Sequence, residues 1–338
     1  MKLVSYTNSG LPSTHGEGRV GILTDSGHVL DLATASGGEG ALASLDSGAG
    51  ISMLALLRAG DEAMDAARSI AHAARDNSDA VADAPAVESV TLLAPVPRPT
   101  SMRDGYAFRQ HVEAARRNRG VEMIPEFDLF PVFYFTNHQA VTGPGDVNVQ
   151  DLHMERLDFE LEAAIVIGRE GRNIPAAEAD RYIAGYTIMN DWSARALQME
   201  EMKMSLGPAK GKDFATSIGP WLVTRDELAG RLLPGDTGER YDLAMVARVN
   251  DVEVSRGSLQ DMTWTFAQIL ERASYGVTLY PGDVIGSGTV GTGCFLELNG
   301  SKITDNQWLK DGDMVECEIE ALGVLRNTVR LVKGRSVE

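Results

Sequence analysis

Short apolar or alternating runs dominate this chain, and helical periodicity interrupts them in only a few places. Near the start, "MKLVSY", "GRVGIL" and "GHVLDL" are separated by turn residues and predict three strands. From Ile51 to about Asp76 an Ala-rich stretch carries its apolar residues at helical spacing and predicts a helix. "DNSDAVADAPAVES" is small and polar, and "LLAPVPRPTS" holds three prolines, so the two together read as a linker ending near Thr100.

Beyond Thr100 the pattern changes. "YAFRQHVEAARRNRG" predicts a helix stopped by Gly120, and "SLQDMTWTFAQILERAS" predicts another. "PVFYFTNHQAV", "DFELEAAIVIG", "YIAGYTIMN", "GPWLVT" and "DLAMVARVN" predict strands. So do "GDVIGSGTV", "CFLELNG" and "DMVECEIEALGVLRNTVRLV". This is a β-rich α+β pattern, without the regular alternation of a doubly wound sheet. It divides into a small N-terminal β/α domain over residues 1–90, a linker over 91–100 and a main domain over 101–338. No internal repeat or low-complexity tract is present.

Bulk composition narrows the function. The 338 residues are 43% hydrophobic, enough for a sizeable core, and the formal charge is −17. That balance argues against nucleic acid, an anionic membrane surface and long-range capture of anions. Any anionic ligand needs a local basic cluster. Two cysteines make no disulfide framework and suit a reducing cytoplasm. "MKLVSYTNSG" has no apolar core of a signal peptide, and no run is long enough to span a membrane.

Chemistry enters through acidic residues. In "DFELEAAIVIG", Glu160 and Glu162 leave one face of a strand, followed on that face by Ala164 and Val166. Phe159, Leu161, Ala163, Ile165 and Ile167 occupy the other face. A solvated strand end would explain the pair. A strand apolar on both faces instead implies burial, and two neighbouring buried carboxylates need a cation or a shared proton. No His or Cys lies near them at zinc spacing, so an all-oxygen site would select Mg²⁺, with Mn²⁺ or Ca²⁺ as substitutes. In "MNDWSARALQ", Asp191, Arg195 and Gln198 fall at intervals of four and three, one stripe of a helix. That is either a solvated salt bridge or one wall of a site with Asp191 as a third ligand. Lys212 sits among glycines in "GPAKGKDF". The Gly-rich "GSGTVGTG" lacks the Lys-Ser/Thr ending and following helix of a phosphate loop. His111, on a helix, has no ligand partner at hand in sequence.

Taken together, "LDFELEAAIVIG", "GYTIMNDWSARALQ", "GPAKGKDFATSIGPWLVT" and "YPGDVIGSGTVGTGCFLELNG" resemble the fumarylacetoacetate hydrolase family. The match runs in order over roughly residues 100–338, and the leading part resembles that family's small N-terminal domain more weakly. The resemblance implies a mixed β-sandwich roll, a homodimer and a divalent metal, usually Mg²⁺. It places metal carboxylates on Asp104, Glu160, Glu162 and Asp191. It places a catalytic histidine on His111 with its orienting glutamate on Glu297. Substrate contacts fall on Tyr106, Tyr134, Arg195, Gln198, Lys212 and Thr289. Members acting on fumarylacetoacetate itself carry a tyrosine where Met202 stands and an arginine where Gly120 stands beside Arg119.

The activity so implied is metal-dependent hydrolysis of a carbon–carbon bond in an acylpyruvate or other β-diketo acid, of the kind met in aromatic compound catabolism. His111, held by Glu297, would activate water, and Lys212 and Gln198 would steady the negative charge of the departing enolate. The alternatives are a lyase on the same site, a 2-oxo acid decarboxylase or sugar-acid dehydratase, and a non-catalytic binding protein.

Overall fold

The strand Leu161–Ile167 is buried along its whole length, and its alternation sorts two cores. Leu161, Ala163, Ile165 and Ile167 point into the larger core with Ile188, Met245, Ile319 and Leu325. Ala164 and Val166 point the other way, against Met53, Leu56, Leu57 and Leu222. The double burial expected from "DFELEAAIVIG" is therefore what the fold uses. The computed structural model describes residues 1–8, 16–76, 83–235 and 237–333.

Two sheets face each other across the larger core. One has eleven strands, whose main path runs Val29–Asp31, Arg19–Leu23, Lys2–Thr7, Thr216–Val223, Ile183–Asp191, Leu161–Ile167, Val284–Gly286, Met102–Gly105 and Phe133–Phe135. The other has five, in the order Val252–Ser258, Ala244–Val249, Met314–Ile319, Gly323–Leu331 and Gly145–Val149. Most pairs are antiparallel. Val284–Gly286 runs parallel to Met102–Gly105, and Gly323–Leu331 parallel to Gly145–Val149. The architecture is mixed α/β and β-rich, as the sequence pattern predicts, and its two facing sheets agree with the sandwich roll that the resemblance implies. The three N-terminal strands extend the large sheet, because Lys2 and Leu3 pair with Val223 and Leu222.

Helices Met53–Ala59 and Asp61–Asp76 cover the outer face of that sheet. The single helix expected over Ile51–Asp76 is split because Gly60 adopts φ +78°, a left-handed conformation that ends one helix and starts the next. Of the expected linker, residues 77–82 lie outside the described residues, and Thr91–Leu92 pairs with the first strand. "SLQDMTWTFAQILERAS" is also divided. Leu259–Asp261 forms a short 3₁₀ turn, and Phe266–Ser274 forms the helix, opened by a capping box between Thr265 and Gln268.

"CFLELNG" is not a strand. It forms the helix Phe295–Gly300, whose first N–H groups, of Phe295 and Leu296, donate to the Asp158 carboxylate at 2.8 and 2.9 Å. The local F-L-E-L alternation favours a strand. A distant buried acceptor favours helix, because it satisfies donors that a strand would have paired laterally. No helix among the described residues is long and apolar enough to cross a membrane.

Candidate active site

Four carboxylates meet where strand ends converge. Asp104 lies in Met102–Gly105, directly opposite Gly286 on the parallel neighbour. Glu160 immediately precedes Leu161–Ile167, and Glu162 lies within it. Asp191 is the last residue of Ile183–Asp191. One oxygen from each of the four lies within 4.8 Å of the others, and all four side chains are buried. The helical stripe expected for Asp191, Arg195 and Gln198 does not form across all three. Only Arg195 and Gln198 share the helix Arg195–Glu201; Asp191 reaches the site from a strand end.

Gly286 is required at this junction. A Cβ there would fall 2.4 Å from Asp104 Oδ1 and 2.9 Å from Glu162 Oε2. The Gly288 N–H donates to both of these oxygens at 3.1 Å, and the Thr289 hydroxyl donates to Glu162 Oε1 at 3.4 Å. The glycine-rich run is thus shaped to admit carboxylates.

Cations line the opposite wall. The Lys212 ammonium donates to Asp191 Oδ2 at 2.7 Å and pairs with Glu160. Arg195 Nε donates to Asp158 Oδ2 at 2.8 Å, and Nη1 donates to Gln198 Oε1 at 3.0 Å. Its Nη2 stands 2.8 Å from both Asp158 and Glu160, at angles that make these ion pairs rather than hydrogen bonds. Gly211 allows the close approach of the lysine loop, since a Cβ there would lie 2.7 Å from Gln198 Cβ. Tyr134 donates its hydroxyl to Asp191 Oδ2 at 2.5 Å.

Five carboxylates (Asp104, Asp158, Glu160, Glu162 and Asp191) thus share two cations. The imbalance appears in their acidities. Burial would raise Glu160, but Lys212 and Arg195 outweigh it and pull the group down to about 2. Burial and the Asp191 charge push Asp104 up to about 7. Burial and its neighbour Asp104 drive Glu162 well above the carboxylate range. Burial also raises Asp191, against the pull of Lys212.

The site fits a divalent cation by its own features. Its donors are all oxygen, and its negative charge exceeds the cations present. Asp191 Oδ1 is buried with no hydrogen-bond partner among the described residues.

A second pair stands across the same cavity. His111 Nδ1 and Glu297 Oε2 are 2.6 Å apart, from the helices Arg109–Asn118 and Phe295–Gly300. The other ring nitrogen is left for the cavity, whose volume is about 1130 Å³. Tyr106 meets the His111 ring edge-on, 5.7 Å between centroids, and burial pushes its hydroxyl up to about 12. The cavity is lined by Asp104, Glu160 and Lys212 and by His111 and Glu297. Tyr106, Tyr134, Arg195, Gln198 and Thr289 also line it. Glu162 and Asp191 stand behind the wall. Met202 and Arg119 lie at the half-open rim, and Gly120 ends its helix at φ +72°.

Sequence reasoning passed over Asp158. It is fully buried and binds Arg195, Phe295 and Leu296 at once, tying the carboxylate wall to the helix that carries Glu297. The signal was present, since Asp158, Glu160 and Glu162 recur every second residue.

Residues 100–330 match the fumarylacetoacetate (FAA) hydrolase C-terminal family. The human mitochondrial oxaloacetate tautomerase FAHD2A is 34% identical over 242 residues, covering 71% of this chain and 69% of its own length. The oxaloacetate tautomerase YisK of Bacillus subtilis (strain 168) is 30% identical over 319 residues, covering 92% and 95%. Among solved structures, a fumarylacetoacetate hydrolase from Exiguobacterium antarcticum aligns with a TM-score of 0.69 at 26% identity, covering 98% of this chain and 100% of that one.

Proposed function

The chain belongs to the fumarylacetoacetate hydrolase family, and we propose that it is a cation-dependent hydrolase that cleaves a carbon–carbon bond in a β-diketo acid, an acylpyruvate or a fumarylacetoacetate-like compound. The observation that carries this reading is the opening of the His111–Glu297 pair and the carboxylate cluster onto one cavity. Asp104, Glu160, Glu162 and Asp191 would hold the cation, with Mg²⁺ the first choice and Mn²⁺ or Ca²⁺ as substitutes. When bound it supplies Lewis-acid polarisation to the substrate's two carbonyl oxygens.

The chain's own groups do the rest. The free nitrogen of His111 takes a proton from water, while Glu297 holds the ring through Nδ1. Hydroxide adds to the distal ketone, the carbon–carbon bond breaks, and His111 returns the proton to the leaving carbon. Lys212 and Gln198 face the negative charge that develops on the departing fragment. Tyr106 keeps its proton and donates to the substrate carboxylate. Arg195 is committed to Asp158, Glu160 and Gln198, so it steadies this wall from behind, and Tyr134 does the same for Asp191. We also propose a homodimer, supported by the exposed Met204 and Leu206, which lie in sequence between the cavity-lining Met202 and Pro208.

A second reading, oxaloacetate tautomerase, is favoured by relatives of that name at 30–34% identity. It needs the same base without a hydrolytic water. The test is a turnover screen of acylpyruvates, fumarylacetoacetate and oxaloacetate, with and without chelator. Release of pyruvate and a second acid from an acylpyruvate, abolished by chelator, is the expected result. Keto–enol interconversion of oxaloacetate, with every acylpyruvate left intact, would replace the hydrolase by the tautomerase.

A further inference from the structure

Beside the carboxylate cluster lies a second group of donors with different chemistry. A ring nitrogen of His111, Sγ of Cys294 and a carboxylate oxygen of Glu297 lie within 4.8 Å of one another, all buried. Cys294 immediately precedes the helix Phe295–Gly300, and Glu297 sits three residues later. His111 comes from the helix Arg109–Asn118 packed against it. We infer that His111, Cys294 and Glu297 form a second metal site, selective for a soft or borderline divalent cation of the Zn²⁺ type, and that its occupation switches the enzyme off.

The donor set decides the cation. Imidazole, thiolate and carboxylate together suit Zn²⁺ or Cd²⁺ in a tetrahedral site, with water in the fourth position. The four carboxylates suit Mg²⁺. The two sites therefore sort cations by softness, and His111 and Glu297 of one line the same cavity as Asp104 and Glu160 of the other. His111 and Glu297 line the cavity, and Cys294 is fully buried beside them.

Without a cation the thiol stays protonated. Burial raises it well above the usual thiol range and Asp158 adds to this, while Arg195 and the Glu297 N–H favour the thiolate. Ligation supplies the missing positive charge and expels the thiol proton.

Inhibition follows from the ring. If the cation takes Nδ1 in place of Glu297, the imidazole proton moves to Nε2, which becomes a donor and accepts nothing from water. If the cation takes Nε2, the base is occupied directly. This consequence rests on His111 being the base of the proposed reaction. The binding site itself does not.

The test is a titration of Mg²⁺-saturated protein with Cd²⁺, read by thiolate-to-cadmium ultraviolet absorption. One equivalent should give the band. Cys294→Ser should abolish it, His111→Ala and Glu297→Ala should each weaken binding at least about 10-fold, and Cys317→Ser should change nothing. In parallel, Zn²⁺ should inhibit turnover in excess Mg²⁺, and should inhibit Cys294→Ser less, each protein being measured against its own Zn²⁺-free rate. Cadmium binding without the band, or a band of unchanged affinity in both His111→Ala and Glu297→Ala, would overturn the site. A band together with no turnover on any oxo acid would keep the site and sink the hydrolase reading instead.

Discussion

Replacing Asp158 by asparagine tests whether the buried bridge between the two halves of the site is structural. The carboxylate accepts from Phe159 and Phe295 N–H at one oxygen, and from Leu296 N–H and Arg195 Nε at the other. Asparagine keeps one acceptor and turns an N–H₂ toward two donors. It also leaves Arg195, 2% exposed, with one carboxylate fewer. Removing one partner of a buried pair costs about 3–5 kcal/mol, so we expect a loss of about 4 kcal/mol. With an unfolding entropy of about 2.1 cal/mol/K per residue, a chain of 338 residues should lose about 6 °C in melting temperature. The measurement is calorimetry in chelator, so that cation binding does not enter. Asp158→Asn combined with Arg195→Met should lose less than the sum of the two single losses, because the Asp158–Arg195 interaction is already gone in Asp158→Asn. A shift under about 1 °C in Asp158→Asn, or strictly additive losses in the pair, would refute the reasoning.

Glu160→Gln or Asp191→Asn should abolish tight Mg²⁺ binding, and unchanged affinity in both by calorimetry would put the cation elsewhere. Burial and repulsion from neighbouring carboxylates push Asp104 up to about 7 and Glu162 well above the carboxylate range, so this pair shares a proton near neutral pH without metal. Mg²⁺ binding should therefore release about one proton, read as a buffer-dependent heat, and tighten as pH rises. Folded pKa values above the unfolded ones are a stability contribution present at low pH and lost as pH climbs. The chelated protein should thus fall in melting temperature relative to the Mg²⁺ form between about pH 5 and pH 8. His111→Ala should lose about 10² to 10⁴ in kcat on an acylpyruvate while still binding Mg²⁺. Glu297→Gln should lose a comparable factor, and the double variant should be little worse than either. If the helix Arg109–Asn118, which carries His111, closes over the cavity as a lid, it should exchange amide hydrogens faster in the free protein than with oxalate bound; equal protection in both would refute that closure.

The candidate site was legible where a residue type carried its own chemistry. The pair Glu160 and Glu162 on a doubly apolar strand already demanded a cation or a proton. Asp104 was different. It lies in "SMRDGY", with no neighbouring acid, and joins the cluster only through the parallel pairing of its strand with Val284–Gly286. Elements whose shape depends on a remote partner were the ones misjudged. The helix after Cys294 depends on Asp158, well over a hundred residues away, and Asp191 reaches the site from a strand end that local spacing placed on a helix. The two domain boundaries, at 90/91 and 100/101, remain a proposal. The large sheet runs across the residue 91–100 segment, so a division there has to be sought in proteolysis rather than in sheet topology.

That shared sheet has a consequence for how the chain is made. Lys2 and Leu3 find their neighbours at Val223 and Leu222. At about 5–20 residues per second, the first strand emerges from the ribosome roughly 10–40 seconds before the strand it must lie beside. During that interval its only sheet partners are the local ones, Arg19–Leu23 and then Thr91–Leu92, and the edge that will meet Thr216–Val223 stays open. An open edge invites pairing with another nascent chain. Synthesis speed, rather than final stability, should then set the yield of native protein. Slowing translation or raising expression should increase the aggregated fraction of this chain, read by sedimentation of the lysate.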